Sequence, residues 1–522
     1  MKLKTYCLLT NLTLAWLFTS CGEKTNDSTA NADSESLYTY SISLEPVNEN
    51  YLAPALQSFA HANIDDNWLL FAGRTNGTDT LGGLHNLNAD YSLKSFPPKS
   101  FNPFVYTFNP TTGNQSFINH TDMLSTIRSM ATGANGETED IQSICKKVGD
   151  LLAEHSRIFM CTNPQVVQSG DYLYVVGGYG PPLSETPTKD NYTTSDEIAK
   201  INVPLLMRIT NQDWNLTVTE WEDLFKFGNN PTLRATGGEL KKLNDQFYLA
   251  AGHNFDTAQV YLNSVYEFNF SEDASTLTLM ATVTDTISDI SPAELLNNSK
   301  KADSTSTFRR RDLPIVASLY LDKDNNLAPN FALMGGVFKY GETLAAWNDA
   351  LYITPDGAQK YYTDAQHDQK NSNIYSCPDF VIYDSQSKEL HTFLPGGIGN
   401  GKPDSDLSGF TNTLGYAKFN LTTKTSSFDT LSNVFPSNYF YGAEAEFVPN
   451  SNTKYITING VETDVIDADK TFTSSGPVHI GYIYGGIESY VISPTTYGSG
   501  KSGASNKVWK VMVSRNPAQG EK

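Results

Sequence analysis

Tyr172-Leu-Tyr-Val-Val-Gly-Gly178 is a run of five strand-forming residues that stops on two glycines, and its design recurs along the chain. The other copies are Trp68-Leu-Leu-Phe-Ala-Gly73, Phe247-Tyr-Leu-Ala-Ala-Gly252, Phe331-Ala-Leu-Met-Gly-Gly336, His391-Thr-Phe-Leu-Pro-Gly-Gly397 and Gly481-Tyr-Ile-Tyr-Gly-Gly486. Successive final glycines lie 105, 74, 84, 61 and 89 residues apart, so the unit repeats while its loops vary. A small-residue doublet at a strand end marks a place where another backbone approaches closely and the dihedrals are unusual.

A further strand and a turn precede each doublet, as in Gln165-Val-Val-Gln-Ser-Gly-Asp171 and Gly238-Glu-Leu-Lys-Lys-Leu-Asn-Asp245. After a variable loop comes a second alternating hairpin, seen in Phe104 to Gly113, Val265 to Phe270 and Tyr416 to Lys424. Four strands per unit, with the doublet ending the second, is the layout of a kelch blade. The expected fold is therefore all-β: a six-bladed kelch-type β-propeller with four-stranded blades over residues 37–515, followed by a tail over 516–522.

Such a ring must close or leave two exposed edges. Leu37 to Leu44 alternates, with Tyr38, Tyr40, Ile42 and Leu44 on one face, and is expected to pair with the last apolar segment, Lys507 to Val513. Two helical insertions are expected. Ile141, Ile144, Cys145, Val148, Leu151 and Leu152 share a face at helical spacing over Glu139 to Glu154, and Ser291-Pro-Ala-Glu294 is a capping-box start running through Leu296.

The chain begins as an export signal over residues 1–20, with Lys2 and Lys4 ahead of a short apolar run. Leu17-Phe18-Thr19-Ser20-Cys21 resembles a lipobox, which makes Cys21 the lipidation residue and 21–36 a polar tether. The expected location is outside the cytoplasm, lipid-anchored to an outer membrane, on its periplasmic side or at the cell surface. Of the remaining cysteines, Cys145 and Cys161 flank one helix and could pair, leaving Cys377. No cofactor or metal is expected, since no Cys/His spacing resembles a zinc site. Asp322 to Asn326 starts like a calcium loop but lacks its later Gly and Glu, and reads as a hairpin turn.

Acidic residues outnumber basic ones 57 to 37, a formal charge of -20, which argues against nucleic acid as a partner. Locally the pattern differs. Residues that follow the doublets share one face with residues that open the first strands, and this face collects Arg74, Asn163, Tyr179, Arg234, His253, Arg310 and Tyr441 as candidate ligand-binding residues. They suggest a pocket of positive character suited to an anionic or hydroxylated ligand such as a glycan. The competing expectation is structural, with Arg310 and Asp312 in salt bridges and Arg74 and Arg234 tying down carbonyls.

Three functions fit: a module binding a glycan or envelope protein, a lyase or epimerase acting on an acidic sugar, or a structural envelope component, in each case as a monomer. The enzyme would draw on His253, Tyr179 and Tyr375 as acid and base beside Arg234. Copper oxidase chemistry fits poorly, because only His61, His253 and His367 lie near the face.

Phe159 to Gln165, Tyr172 to Gly180, Leu233 to Lys242, Phe308 to Asp312, Ile480 to Ile487 and Gly503 to Asn506 together resemble a group of exported kelch-repeat proteins from Bacteroidetes-type bacteria. The resemblance runs from about residue 55 to the C-terminus and implies fold and export, with no catalytic residue to carry over. The blades are longer than the standard repeat of about 50 residues, and Ala72 and Ala251 replace the first glycine. Asp27-Ser28-Thr29 and Asp303-Ser304-Thr305 look like short O-glycosylation acceptors of such bacteria.

Overall fold

A computed structural model describes residues 37–75, 96–183, 186–188, 191–255, 258–296, 305–340, 345–370, 372–399, 409–436, 438–492 and 502–518. The signal segment, Cys21, the tether and the first acceptor triplet lie outside the described residues, as do Asp303 and Ser304.

The described chain is mostly β and arranged in a propeller-like way. Six antiparallel groups of four strands follow one another; the second and third are joined through Phe227 and Thr278 into one eight-stranded sheet, and the fifth is extended by two more strands into a six-stranded one. Their first strands are Ala60–Ile64, Gln165–Ser169, Glu239–Leu243, Ile315–Leu321, Phe380–Asp384 and Glu446–Pro449. In the first five units the strands pair in chain order. The sixth takes its outer strand from the other end of the chain: Tyr38–Pro46 pairs antiparallel with Val508–Pro517, in register from Tyr38 against Pro517 to Pro46 against Trp509. The expected alternation holds, with Thr39, Ser41 and Ser43 exposed and Leu44 buried.

The doublets join the units. In the order of the chain, the amides of Gly73, Gly178, Gly252, Gly336 and Gly397 donate to the carbonyls of Cys161, Ala235, Arg310, Ile374 and Tyr441 in the next unit, at 2.8–3.0 Å. Gly486 donates to Leu56 of the first unit, which closes the series on itself. Both residues of every doublet have positive φ, including Ala72 at 54° and Ala251 at 59°. Gly178 shows why so little bulk is tolerated: with φ at 97°, a Cβ there would sit 2.5 Å from Cys161 Sγ.

Helices are more numerous than expected. Glu139–Glu154 forms as predicted, capped by the Thr138 side chain, and Pro292–Leu296 carries the reciprocal Ser291 and Glu294 capping bonds. His120–Met130, Val203–Thr210, Val218–Leu224 and Ala468–Thr471 are additional. The first three pack with Glu139–Glu154 into one apolar cluster against the first two units, through Met123, Ile127, Val148, Leu206 and Trp221. Cys145, Cys161 and Cys377 are all free thiols buried in the packing, so the 145–161 pairing does not form. Asp322 to Asn326 is the expected turn, its Asp322 carboxylate accepting from the amides of Asp324 and Asn326.

Candidate functional site

Two residues or so before each first strand, the six units present equivalent positions: Ser58, Asn163, Gly237, Asp312, Ser376 and Glu444. Amide-to-carbonyl bonds link them around one axis, from Asn163 to Ser58, Asp312 to Gly237, Ser376 to Asp312 and Glu444 to Ser376, at 2.8–3.0 Å. Side chains complete the circuit. Thr236 Oγ1 donates to the Asn163 carbonyl at 3.3 Å, and Ser58 Oγ donates to Glu444 Oε2 at 2.8 Å. All but Ser376 have φ between 48° and 66°. Four of those five carry side chains, and each such residue stores strain of about 1 kcal/mol or more, held only because its neighbours fix it.

The ring surrounds a cavity of about 130 Å³ that also touches His61, Gln165, Glu239, Cys377, Asp379 and Glu446. These side chains sit at or just before the start of the first strands. Lys241, two residues beyond Glu239 and hence on the same strand face, is ion-paired with it. An inserted hairpin, Tyr455–Ile458 and Val461–Asp467, pairs in parallel with Val381 to Tyr383 of the first strand of unit five. The register sets Val465 against Val381, near the start of that strand, and Asp464 acts electrostatically on Glu239, Lys241 and Asp379.

Above the ring, the residues after the doublets make a second tier of short pairings: Gln57 with Arg74, Thr162 with Tyr179, Thr236 with His253, and Val337 with Ala346. The expectation that these positions share a face with the first-strand openings therefore holds. Tyr179 forms an aromatic wall with Phe96, Tyr192 and Phe255, ring centroids 5.5–6.1 Å away. Arg74 lies over Phe96 at 4.3 Å, Arg309 over Tyr261 at 3.9 Å and Arg311 over Phe338 at 4.3 Å. Arg311 also donates to the His253 ring, 3.2 Å from Nε2, and contacts the Asp312 carboxylate at 3.3 Å.

The electrostatics are layered. Burial pushes Glu444 up to about 7, with the Asp312 charge adding to the rise, while Tyr375, Ser58 and Arg74 oppose it. Burial also raises Asp312, against the pull of Arg311. At neutral pH Glu444 is therefore poised between its protonated and ionised forms. Arg74, lowered by burial to about 10, remains a cation. The guanidinium groups thus lie at the rim and the carboxyls in the cavity beneath it.

Of the expected site residues, the structure gathers Arg74, Asn163 and Tyr375 with Glu444 at the axis, and puts Tyr179 and His253 on the mouth. Burial and then Arg311 hold His253 far below its ordinary pKa, so it is a neutral imidazole. Three others are corrected. Arg310 is fully buried, donating to the carbonyls of Thr307, Gly335 and Asp349 and to the Asp349 carboxylate at 2.7 Å, and is a strut for its own doublet. Tyr441 is buried against Trp509 and Phe435. Arg234 is bonded to Asp196 at 2.9 Å, away from the ring. Sequence reasoning missed Glu239, Asp379 and Glu446, whose common signal was an acidic residue at or just before the start of a first strand.

No family model matches the chain, and no curated protein matches it in sequence. Among solved structures, the one described as "Structure of YjhT" is similar at 11% identity and a TM-score of 0.42, over 88% of this chain and 98% of that one. Likeness at that level transfers nothing to the site.

Proposed function

We propose that the protein is an exported, lipid-anchored six-bladed kelch-type β-propeller, akin to the Bacteroidetes-type group, whose axial mouth binds an acidic or hydroxylated glycan. The observation that carries this reading is the mouth itself. The guanidinium of the buried Arg74 lies 4.3 Å from the Phe96 ring centre, next to the Tyr179, Tyr192 and Phe255 wall, and that of Arg311 lies 4.3 Å from the Phe338 ring centre, above a ring of strained backbone. Guanidinium forks suit carboxylates, aromatic faces suit sugar rings, and side chains already fixed by stacking lose little entropy when a ligand arrives. The described body acts as a monomer on its tether at the outer membrane, and an envelope protein carrying such a glycan is an equally suitable partner.

A second reading is favoured by one feature. Glu444, held near 7 beside Tyr375 and Arg74, is a carboxyl able to take or give a proton at neutral pH. A lyase or epimerase acting on an acidic sugar would use Glu444 and Tyr375 at the reacting carbon and Arg74 on the sugar carboxylate, in place of the His253 and Arg234 set. Screening the folded body on a glycan array and assaying hits for product separates the two. Binding without turnover supports the module. Turnover lost in Glu444→Gln supports the enzyme, and no ligand in either assay leaves the structural envelope role.

A further inference from the structure

We propose that the cavity where the sixth unit meets the first, at the strand ends opposite the mouth, is a second binding site that takes one neutral sugar ring. The inference stands on that cavity and is independent of what the mouth binds.

Three pieces of chain converge around a volume of about 350 Å³, against about 130 Å³ inside the ring. Asp66 and Thr111 come from the two hairpin turns of the first unit, beyond Ala60–Ile64 and beyond Phe104–Phe108. Asn450 and Asn452 directly follow the first strand of the sixth unit, and His479 opens its second strand, Val478–Tyr484. First strands begin at the ring, so all of these lie at the far ends of the strands. Tyr51 belongs to the segment linking Tyr38–Pro46 to Ala60–Ile64, and Lys510 to the C-terminal strand Val508–Pro517. Closure of the chain's two ends on each other therefore creates the cavity.

Its walls are fixed in advance. Asn450 and Asn452 donate through Nδ2 to the His479 carbonyl at 3.0 and 3.2 Å, and His479 Nε2 donates to the Gly481 carbonyl at 3.0 Å. The His479 ring meets Tyr482 edge-on at 4.7 Å. Across the junction the Tyr482 hydroxyl bonds Thr111 Oγ1 at 3.3 Å, and its ring packs against Trp68. Tyr51 lies against Gly113, where a Cβ would run into the ring. Among the described residues no hydrogen bond or ion pair engages the Tyr51 hydroxyl, the Lys510 ammonium, Nδ2 of Asn48 or Oδ1 of Asn452, all from residues that border the cavity. Side chains held in this way lose little freedom when a ligand arrives.

Charge and size narrow the occupant. One ammonium, Lys510, and one carboxylate, Asp66, offset each other, and burial keeps the His479 ring below its ordinary pKa and hence neutral. No arginine borders the cavity, so the planar fork that grips carboxylates and phosphates is lacking among the described residues. A carboxamide sets a donor beside an acceptor, and a hydroxyl is both at once, so three asparagines with Asp66 and Lys510 match neighbouring hydroxyls on one ring. The Tyr51 and Tyr482 rings supply apolar surface with polar tips. Sites for small molecules begin at about 300 Å³, which a single pyranose suits. A ligand of about a dozen non-hydrogen atoms in an open polar cavity binds with a dissociation constant of roughly a millimolar.

Saturation-transfer NMR on the full chain tests the site, with glucose, galactose, mannose, fucose and N-acetylglucosamine titrated singly at low and high salt, and with glucuronate and glutamate as charged arms. The expected result is saturable binding of at least one neutral sugar near about a millimolar, unchanged by salt. Asp66→Ala and Asn452→Ala, both in turns, should each weaken it about fivefold or more through the loss of a hydrogen bond, with melting temperatures unchanged. Tyr51→Ala should abolish it; if that variant does not fold, the two turn variants decide. Tyr179→Ala, at the mouth, locates the site by leaving this affinity as it was. Lack of saturable binding by all five neutral sugars overturns the proposal. So does binding that survives Asp66→Ala but not Tyr179→Ala, or binding confined to the charged arms and weakened by salt.

Discussion

The amide of Gly486 donates to the carbonyl of Leu56 at 2.8 Å, joining the last doublet of the chain to its first unit. Nearby, the Tyr484 hydroxyl reaches the Pro54 carbonyl across 430 residues of sequence. Closure thus rests on contacts between the two ends, and the outer strand Tyr38–Pro46 adds to them. Arg515 ties that strand in by lying over Tyr38 at 3.8 Å while pairing with Asp384 and Asp469 at 2.7 and 2.8 Å. Deleting residues 37–46 should expose the edge of Val508–Pro517 and cost roughly 5 kcal/mol or more. Urea unfolding followed by tryptophan fluorescence, with light scattering for aggregation, checks this.

Arg310 is predicted to matter for stability and not for ligand. Arg310→Met leaves Asp349 without its partner and three carbonyls short of a donor, with an expected loss of about 3–5 kcal/mol. Chemical denaturation measures it. Among variants that remain folded, mouth binding should be unchanged.

Gly178→Ala places a methyl 2.5 Å from Cys161 Sγ at a φ of 97°. The strain and the clash together should destabilise by about 2–4 kcal/mol. Gly177→Ala, at a φ of 70°, meets the Ala235 carbonyl at 2.2 Å and should destabilise at least as much in the same melts, although Ala72 and Ala251 fill the equivalent position in two other units.

The raised Glu444 pKa has a definite sign for stability. A carboxyl that ionises near 4.5 in the unfolded chain and about 7 in the folded one makes the folded state bind more protons between those values. Its contribution is unfavourable above pH 7 and fades as pH falls toward 4.5. Glu444→Gln should therefore raise stability by about 2 kcal/mol at pH 8 and leave it nearly unchanged below pH 4.5. Thermal melts of both proteins across that range give the difference directly. The neutral His61 works the other way below its ordinary pKa, so the comparison must be between variant and wild type at each pH.

Much of the fold was legible because its signals are local. A doublet with two positive φ values admits only small residues, so Gly177-Gly178 and its counterparts stand out in the sequence. Alternation in Tyr38 to Leu44 and the apolar stripe of Glu139–Glu154 are likewise single-segment patterns. Helices such as Val203–Thr210 were hidden because they are short, apolar and continuous with a strand, their helical state being set by packing against Trp221 and Leu224. The site was harder to read. Nothing in Phe308-Arg-Arg-Arg-Asp312 says which arginine faces the axis. Backbone direction at the ring turns Arg311 to the mouth and sends Arg310 into the core. Glu239, Asp379 and Glu446 become a cluster only when three units converge.

The most direct test of the mouth as a binding site is the affinity of the folded body for its glycan-array ligand, compared among wild type, Arg311→Ala, Tyr179→Ala and Arg234→Ala. The account predicts losses of about tenfold or more for the first two variants, weakened further by salt for Arg311, and no change for Arg234→Ala, whose side chain is spent on Asp196. Equal affinity across all four proteins, or a loss confined to Arg234→Ala, would contradict it.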